Sequence, residues 1–278
     1  MSPIQNLIIK NFFMKSLITA LCSTVLLLMA CQKASGPGLK NAANISIYLT
    51  DDPSIQVQNL FVDIQRVEVK VEDDGVDSLG GWFNLNVRSG VYDILRFKNG
   101  IDTLFATGQI PAGRKLQKLR LTLGNNNRVV IGGATIPLSL HNNESQIIIK
   151  LDESTVDVIG GGDIRFWLDF DAGRSVQQKG NQFVLRSQLK AFSKGRSGEI
   201  EGRVAPADAR AMIMAINGSD TAMATPDGEG EFKLIGLNSG TYQLLIHPTA
   251  NNYRDTTINN VVVTKGEDTK VGTIQLSK

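Results

Sequence analysis

The sequence predicts an all-β protein in which two tandem β-sandwich domains follow an N-terminal signal peptide. From Ile45 onward, short runs of alternating apolar and polar residues end in clusters of Gly, Asn or Asp, as in NISIYLT and LQKLRLTL. Such alternation is typical of half-buried strands, and such clusters are typical of turns. An uncharged apolar stretch stands near the N-terminus, and a break of small and charged residues falls near residue 197.

The first element is the signal peptide, predicted over residues 1–30. Met14-Lys15 precedes the uncharged stretch SLITALCSTVLLLMA, which runs from Ser16 to Ala30. A basic start followed by a short apolar segment is typical of export signals. The stretch is short for a helix that must cross ~30 Å of hydrocarbon, so export is favoured over a transmembrane anchor. Met14 is an alternative start to Met1.

The segment Leu28-Met29-Ala30-Cys31 resembles the lipobox of bacterial lipoproteins. The resemblance implies a lipoprotein signal peptide, with Cys31 as the lipidated first residue of the mature protein and with Cys22 removed. Gln32, where an aspartate would favour the inner membrane, implies the outer membrane, and the leaflet stays open. Residues 31–41 are then a lipidated, flexible tether. The alternative is ordinary cleavage nearby, which leaves Cys31 as a free thiol.

Charge and cysteine content exclude several classes of function. The chain has 29 basic and 27 acidic residues, and without Lys10 and Lys15 of the signal peptide the two signs balance. Because the exported part has no block of Lys or Arg, neither nucleic-acid binding nor steering of polyanions is predicted. With Cys22 removed, no internal disulfide and no thiolate metal cluster is expected.

The exported part divides at Ser193-Lys194-Gly195-Arg196-Ser197-Gly198, so we predict domains over 42–193 and 199–278 with a linker at 194–198. Within the first domain, strict alternation places Val67, Val69 and Val71 on one face of a strand. The same count adds Phe61, Asp63 and Gln65 to that face and assigns Val62, Ile64, Arg66, Glu68 and Lys70 to the other. Residues 91–97 are predicted to hold one short helix or turn.

The second domain contains the pattern DG-x-G-x-F-x-L-x-GL-x-x-G-x-Y, which starts at Asp227. The pattern resembles the carboxypeptidase regulatory-like domains, which are transthyretin-like β-sandwiches. The resemblance implies that Gly230, Phe232, Gly240 and Tyr242 are core and turn positions, with no peptidase chemistry. Related folds bind carbohydrate, which is an analogy at the level of the fold alone.

Three segments of the first domain are similar to a family of prokaryotic domains of unknown function: Thr50-Asp51-Asp52-Pro53, Ile110-Pro111-Ala112-Gly113, and residues 167–175 in WLDFDAGRS. That family is common on lipoproteins and is often followed by a regulatory-like sandwich. It supplies no catalytic residues.

The candidate binding residues lie in RFWLDFDA, where a period of two places Trp167, Asp169 and Asp171 on one face. With Asp51 and Asp52, these carboxylates could bind Ca²⁺ or act as acid and base. The favoured alternative is a solvated strand end, in which Asp171 caps a turn and pairs with Arg174. Trp167, and less so Trp82, could form a platform for sugar rings, although burial in the core is favoured.

No catalytic residue, metal site or cofactor is predicted. The two histidines, His141 and His247, stand in no nucleophile motif, and the sequence has no GxSxG elbow, HExxH motif, phosphate-binding loop or dinucleotide fingerprint. We therefore predict a non-catalytic envelope lipoprotein that presents a binding surface, with carbohydrate as the first ligand to test. The alternative is a structural or adhesive subunit whose strand edges pair with an envelope protein. A third hypothesis is a metal-assisted hydrolase using Asp169 and Asp171. The predicted partners are the membrane, through the lipid, and a carbohydrate or envelope protein, but not nucleic acid.

Overall fold

The computed structural model describes residues 42–51, 57–72, 81–180, 182–218 and 220–278. All of them belong to one compact unit, Asn41–Lys278. The predicted signal peptide, the tether with Cys31, and Asp52 and Pro53 lie outside the described residues. The predicted all-β class is confirmed, with two separate buried cores, one drawn from residues 43–191 and the other from residues 200–276.

The first sandwich is built from two sheets that pack face to face. Its strands are β1 (Ala42–Thr50), β2 (Asn59–Val71), β3 (Trp82–Asn84), β4 (Asn86–Val87), β5 (Gly90–Asp93), β6 (Thr103–Pro111), β7 (Leu116–Leu123), β8 (Asn127–Ile131), β9 (Ala134–Leu140), β10 (Gln146–Lys150), β11 (Asp157–Ile159), β12 (Asp163–Phe170), β13 (Val176–Lys179), β14 (Gln182–Leu185) and β15 (Leu189–Phe192). One sheet has the order β11-β12-β1-β6-β4, with β15 also paired to β12. The other has the order β10-β7-β2-β8-β9-β14-β13, with β3 and β5 also paired to β2.

Alternate residues of these strands meet between the two sheets. Ile45, Ile47 and Leu49 of β1 are buried beside Phe166 and Leu168 of the parallel neighbour β12. The opposite sheet contributes residues 67, 69, 119 and 121, all of them Val or Leu and all buried. Each such side chain contributes about 1.5–3 kcal/mol when it is removed from water.

Strand β2 corrects the predicted alternation. The register against β7 shifts between Ile64 and Arg66, so Gln65 is an extra residue in a β-bulge. Leu60, Val62 and Ile64 therefore share the inner face with the valines at 67, 69 and 71, and the strict count placed Val62 and Ile64 on the wrong face. The assignment after the bulge is confirmed, because a bulge reverses the alternation only once.

Helical structure is short. The predicted helix or turn at 91–97 consists of strand β5 followed by a 3₁₀-helix at Ile94–Phe97. A one-turn α-helix, α1, covers Ala172–Ser175, and further 3₁₀ turns cover His141–Asn143, Gly160–Gly162 and Ala207–Ala209. In the described part of the chain, no helix has the length and apolar character needed to span a membrane.

The second sandwich also has two sheets. Its strands are β16 (Gly198–Ala205), β17 (Met212–Asn217), β18 (Asp220–Ala224), β19 (Glu231–Leu237), β20 (Gly240–His247), β21 (Thr256–Val263) and β22 (Asp268–Gln275). The sheet orders are β19-β16-β22 and β18-β17-β20-β21. Phe232 and Tyr242 are buried in the core, and Gly230 has φ +87°, which a side chain disfavours. These positions have the structural roles that the sequence pattern predicts.

The predicted linker is a tight turn. The Ser197 amide and hydroxyl both donate to the Ser193 carbonyl, at 2.9 and 2.8 Å, and both serines are buried. Strand β16 begins at the next residue, Gly198. The two sandwiches therefore follow each other without a free hinge at this point.

Candidate functional site: the Trp167 face and the β10 edge

The aspartates of RFWLDFDA hold the local fold together. Asp171 is the N-cap of α1: its Oδ1 accepts from the Arg174 amide at 2.8 Å, and its Oδ2 forms an ion pair with the Arg174 guanidinium. This is the geometry that the capping interpretation predicts. Asp51 is 4% exposed, and its Oδ1 accepts from the Ala172 amide at 3.2 Å. Asp169 lies on the same face of β12 as Trp167 and is half-buried.

Asp52, the fifth candidate ligand-binding residue, lies outside the described residues. Among the residues that the structure does describe, no group of three or more His, Cys, Asp or Glu side chains is placed to hold a metal ion. The calcium and hydrolase hypotheses therefore gain no supporting observation from the described carboxylates.

Trp167 lies on the predicted face of β12, but its ring is covered. The residue is 5% exposed, and its ring stacks on Tyr48 at a centroid distance of 5.1 Å and on Phe192 at 6.2 Å. Its indole N–H donates to Asp102 at 2.7 Å, and the Lys194 ammonium bonds the same carboxylate oxygen at 2.8 Å. Carbohydrate binding at Trp167 stays a prediction, and the ring faces needed for sugar stacking are occupied by other side chains.

Trp82 lies in the other sheet and is half-buried. The Arg120 guanidinium stands 4.1 Å above the ring and also binds Glu68 through two hydrogen bonds of 2.6 and 2.7 Å. One face of this indole is therefore used by a cation–π contact. The two tryptophans lie in different sheets and do not form one platform.

A polar cluster that the sequence analysis missed joins the two sandwiches. Asp220 at the start of β18 accepts from the Tyr242 hydroxyl, from the Lys190 ammonium at 2.9 Å and from the Asn238 amide at 3.1 Å. Burial raises the pKa of Asp220, but the bonds from Tyr242 and Lys190 outweigh it and hold that pKa below its usual value. Burial and the Asp220 carboxylate raise the pKa of Tyr242.

A second contact between the sandwiches is made by Asn99, whose side-chain amide bonds backbone groups of β19. Its Oδ1 accepts from the Lys233 amide at 2.6 Å, and its Nδ2 donates to the Glu231 carbonyl at 3.1 Å, so it satisfies the outer edge of β19. Nearby, Lys190 donates to the Gly236 carbonyl at 3.0 Å. An Asn in a loop carries no sequence signal for such a role, which depends on tertiary contact.

Strand β10 forms an exposed edge of the first sandwich. The Leu123 amide bonds the Ser145 carbonyl, and the Leu151 amide bonds the Gln117 carbonyl, so odd-numbered residues of β10 pair with β7. In an antiparallel pair the intervening residues direct their N–H and C=O groups outward. Gln146, Ile148 and Lys150 are those residues, and Ile148 is 54% exposed.

A groove of about 320 Å³ runs beside the first half of this edge. The chain after β14 leaves one sheet to join the other as β15, and residues 185–188 of this connection line the groove. The groove is lined by Gln146, Ile147 and Ile148 on one side and by residues 185–188 on the other. The geometry leaves room beside an unpaired strand edge.

Comparisons with known proteins give one family and several distant likenesses. The family described as "Domain of unknown function (DUF4382)" matches residues 42–187. No curated protein matches the chain. A type II cohesin-X-dockerin complex from Acetivibrio cellulolyticus is 25% identical with a TM-score of 0.23, over 28% of this chain and 56% of that chain.

Two further solved structures are similar over most of the chain. The shaft pilin spaA from Lactobacillus rhamnosus GG is 10% identical with a TM-score of 0.21, over 85% of this chain and 98% of that one. A fimbrial protein from Bacteroides ovatus is 9% identical with a TM-score of 0.28, over 85% and 50%. This chain spans little more than half of the cohesin-X-dockerin chain, and at such TM-scores none of these likenesses assigns a partner or an activity. Since the family match covers more than half of the 278 residues, the chain belongs to the DUF4382 family of domains of unknown function.

Proposed function

We propose that this protein is a non-catalytic structural or adhesive subunit of the cell envelope that joins another protein by strand addition at β10. The observation that carries the proposal is the open edge of β10, where Gln146, Ile148 and Lys150 direct backbone groups away from the sheet. A strand edge with free N–H and C=O groups is a template for a further strand.

The side chains of β10 suit this role. Ile147 and Ile149 pack on the core and hold the strand in place, whereas Ile148 presents an apolar side chain to solvent. An added strand would bury Ile148 and extend the sheet. Backbone hydrogen bonds would supply affinity, and the pocket next to Ile148 would supply selectivity.

The rest of the molecule supports presentation rather than chemistry. The described candidate residues Asp51, Asp171 and Trp167 are engaged in caps, backbone bonds and ring stacking. The contacts of Asp220 and Asn99 connect the two sandwiches, and we expect them to hold the sandwiches as one stiff body. Such a body suits a subunit that transmits force or holds a partner at a fixed distance.

The proposal includes a lipid anchor at Cys31 and a location at the outer membrane. The lipobox-like sequence before Cys31 supports it. The intact mass of the protein isolated from its native membrane is expected to equal that of residues 31–278 plus acyl chains. A mass equal to the bare polypeptide would overturn the anchor and leave strand addition to be tested separately.

Strand addition is tested by a proline at a position of β10 whose N–H points outward. Ile148→Pro deletes a donor that the sheet does not use, and proline is tolerated at such edge positions. Ile148→Thr is the matched control, because it reduces apolar area but keeps the N–H group. A photo-crosslinking amino acid at Gln146 reports the contact in intact cells.

We expect one discrete crosslinked product from position 146 in the wild-type and Ile148→Thr backgrounds, and at least about a tenfold loss of that product with Ile148→Pro. The same crosslinker at Val262, which is 60% exposed on β21 of the other sandwich, is expected to give no such product. Equal yields from the proline and threonine backgrounds, or no discrete product at position 146, would refute the proposal.

A further inference from the structure

Sheet pairing gathers lysines that are far apart in the sequence. Lys70 of β2 is the register partner of Lys118 of β7, which is in turn the register partner of Lys150 of β10. Neighbouring side chains in such a row have Cβ atoms about 5 Å apart. Within the described residues, no carboxylate forms an ion pair with any of the three. We call this row the lysine face.

Within β2, β7 and β10, the rows beside the lysine face add one carboxylate, and Glu72 and Asp152 follow just beyond the ends of β2 and β10. Glu68 is the carboxylate of the next row, and Arg120 already binds it through two hydrogen bonds. Arg66, one row further, is exposed. The connection between β2 and β3 carries Asp73, Asp74 and Asp77 and lies outside the described residues, so this charge balance refers to the strands alone.

Like charges placed directly opposite each other on neighbouring strands destabilise a sheet. An anionic partner on this face would remove that repulsion. Because the three lysines form a row across a sheet rather than the lining of a pocket, they fit an extended anionic surface better than a single small ion.

The position of the lysine face in the fold indicates which anionic surface it meets. Strand β1 begins at Ala42, and Ala42 pairs with Pro111 at the end of β6. Strand β7 starts a few residues later, so Lys118 lies near the end of the sandwich where the chain enters from residue 41. The apolar stretch before Cys31 is separated from Ala42 by the tether 31–41, which reaches at most about 40 Å.

We propose that the lysine face binds the anionic headgroups of the membrane to which the N-terminus leads. Lysines near an anionic bilayer each strengthen binding severalfold. Strand β10 would then run from Lys150 at the lipid to Gln146 away from it, which leaves the groove beside residues 146–148 free. This inference rests on the proposed membrane tether but not on strand addition.

The test uses the chain from Gln32 onward, which lacks the lipid and keeps both buried cores. Its partitioning is measured by cosedimentation with vesicles of equal parts phosphatidylcholine and phosphatidylglycerol, and with vesicles of phosphatidylcholine alone. We expect binding to the anionic vesicles that weakens as salt is raised, and none to the neutral vesicles.

The triple variant Lys70→Gln, Lys118→Gln, Lys150→Gln is expected to bind about a hundredfold more weakly, at roughly fivefold per lysine. The matched control Lys179→Gln, Lys265→Gln, Lys278→Gln removes the same charge from exposed positions elsewhere and should retain most of the binding. Equal losses in the two triple variants, or no binding of the wild-type chain to anionic vesicles at low salt, would overturn the proposal. Ile148→Pro should bind vesicles as the wild type does, so this result is independent of strand addition.

Discussion

At the scale of single residues, chemistry that looks functional in the sequence has a structural role in the described residues. Asp171 caps α1, and Trp167 sits between Tyr48 and Phe192. The cap was predictable, because an aspartate three residues before Arg174 is a local pattern. The burial of Trp167 was not, because Asp102 and Lys194 approach it from distant parts of the chain.

The Asp220 cluster gives a prediction at this scale. Tyr242→Phe keeps the buried ring but removes the hydroxyl that donates to Asp220, so we expect the free energy of unfolding to fall by about 1.5–3 kcal/mol. Urea denaturation followed by circular dichroism measures it. Tyr253→Phe, at a partly exposed tyrosine of the same sandwich, is the control, and an equal loss in both variants would contradict the role of the cluster.

The same cluster predicts a dependence of stability on pH. Because the pKa of Asp220 is lower in the folded protein than in the unfolded chain, its contribution is fully present above about pH 4 and is lost as the pH falls through the folded value. Asp220→Asn should be less stable than the wild type at neutral pH, and the difference should shrink in acid. A constant difference from pH 7 to pH 2.5 would show that the carboxylate charge is not involved.

At the scale of strands, alternation predicted which residues face inward where a strand is regular, but not where a bulge interrupts it. The bulge at Gln65 reverses the faces of β2, and nothing in FVDIQRVEV marks it locally. The lysine face was missed for a related reason: a search for runs of charge in the sequence does not see Lys70, Lys118 and Lys150, which only strand register brings together. Pairing partners are long-range information.

The short connection between β7 and β8 gives the prediction at this scale. A Cβ at Gly124 would lie 2.1 Å from Oδ2 of Asp63, which is buried and accepts from the Asn126 amide. Gly124→Ala should therefore destabilise the fold by about 1–3 kcal/mol. In Gly160→Ala the new Cβ meets no atom within 4 Å, so thermal unfolding should be nearly unchanged. Similar melting temperatures for the two variants would contradict the packing described at Asp63.

At the scale of the whole molecule, the sequence predicted two sandwiches but not how firmly they are joined. The apolar runs and the break near residue 197 were visible, whereas the contacts of Asn99 with Lys233 and Glu231 join residues more than a hundred positions apart. These bonds connect the two sandwiches, and a firm connection would suit the proposed envelope role.

Coupling between the sandwiches is tested at Asn99, whose φ of +61° is compatible with glycine. Asn99→Gly keeps the backbone conformation and removes both side-chain bonds. We expect the single unfolding transition of the wild type in calorimetry to broaden or separate into two, whereas exposed Asn84→Gly should keep one transition. A single sharp transition in Asn99→Gly would show that the polar contacts do not couple the two cores.

The proposed strand addition at β10 is tested most directly by amide hydrogen exchange at Ile148, resolved from Ile147 and Ile149. In the isolated protein the outward amide of Ile148 should exchange fast and its two neighbours slowly, because only the neighbours bond β7. In membranes from cells that produce the protein, the Ile148 amide should exchange at least about tenfold more slowly, since an added strand would accept its hydrogen bond. Equal rates of Ile148 exchange in the isolated and native states would contradict the account.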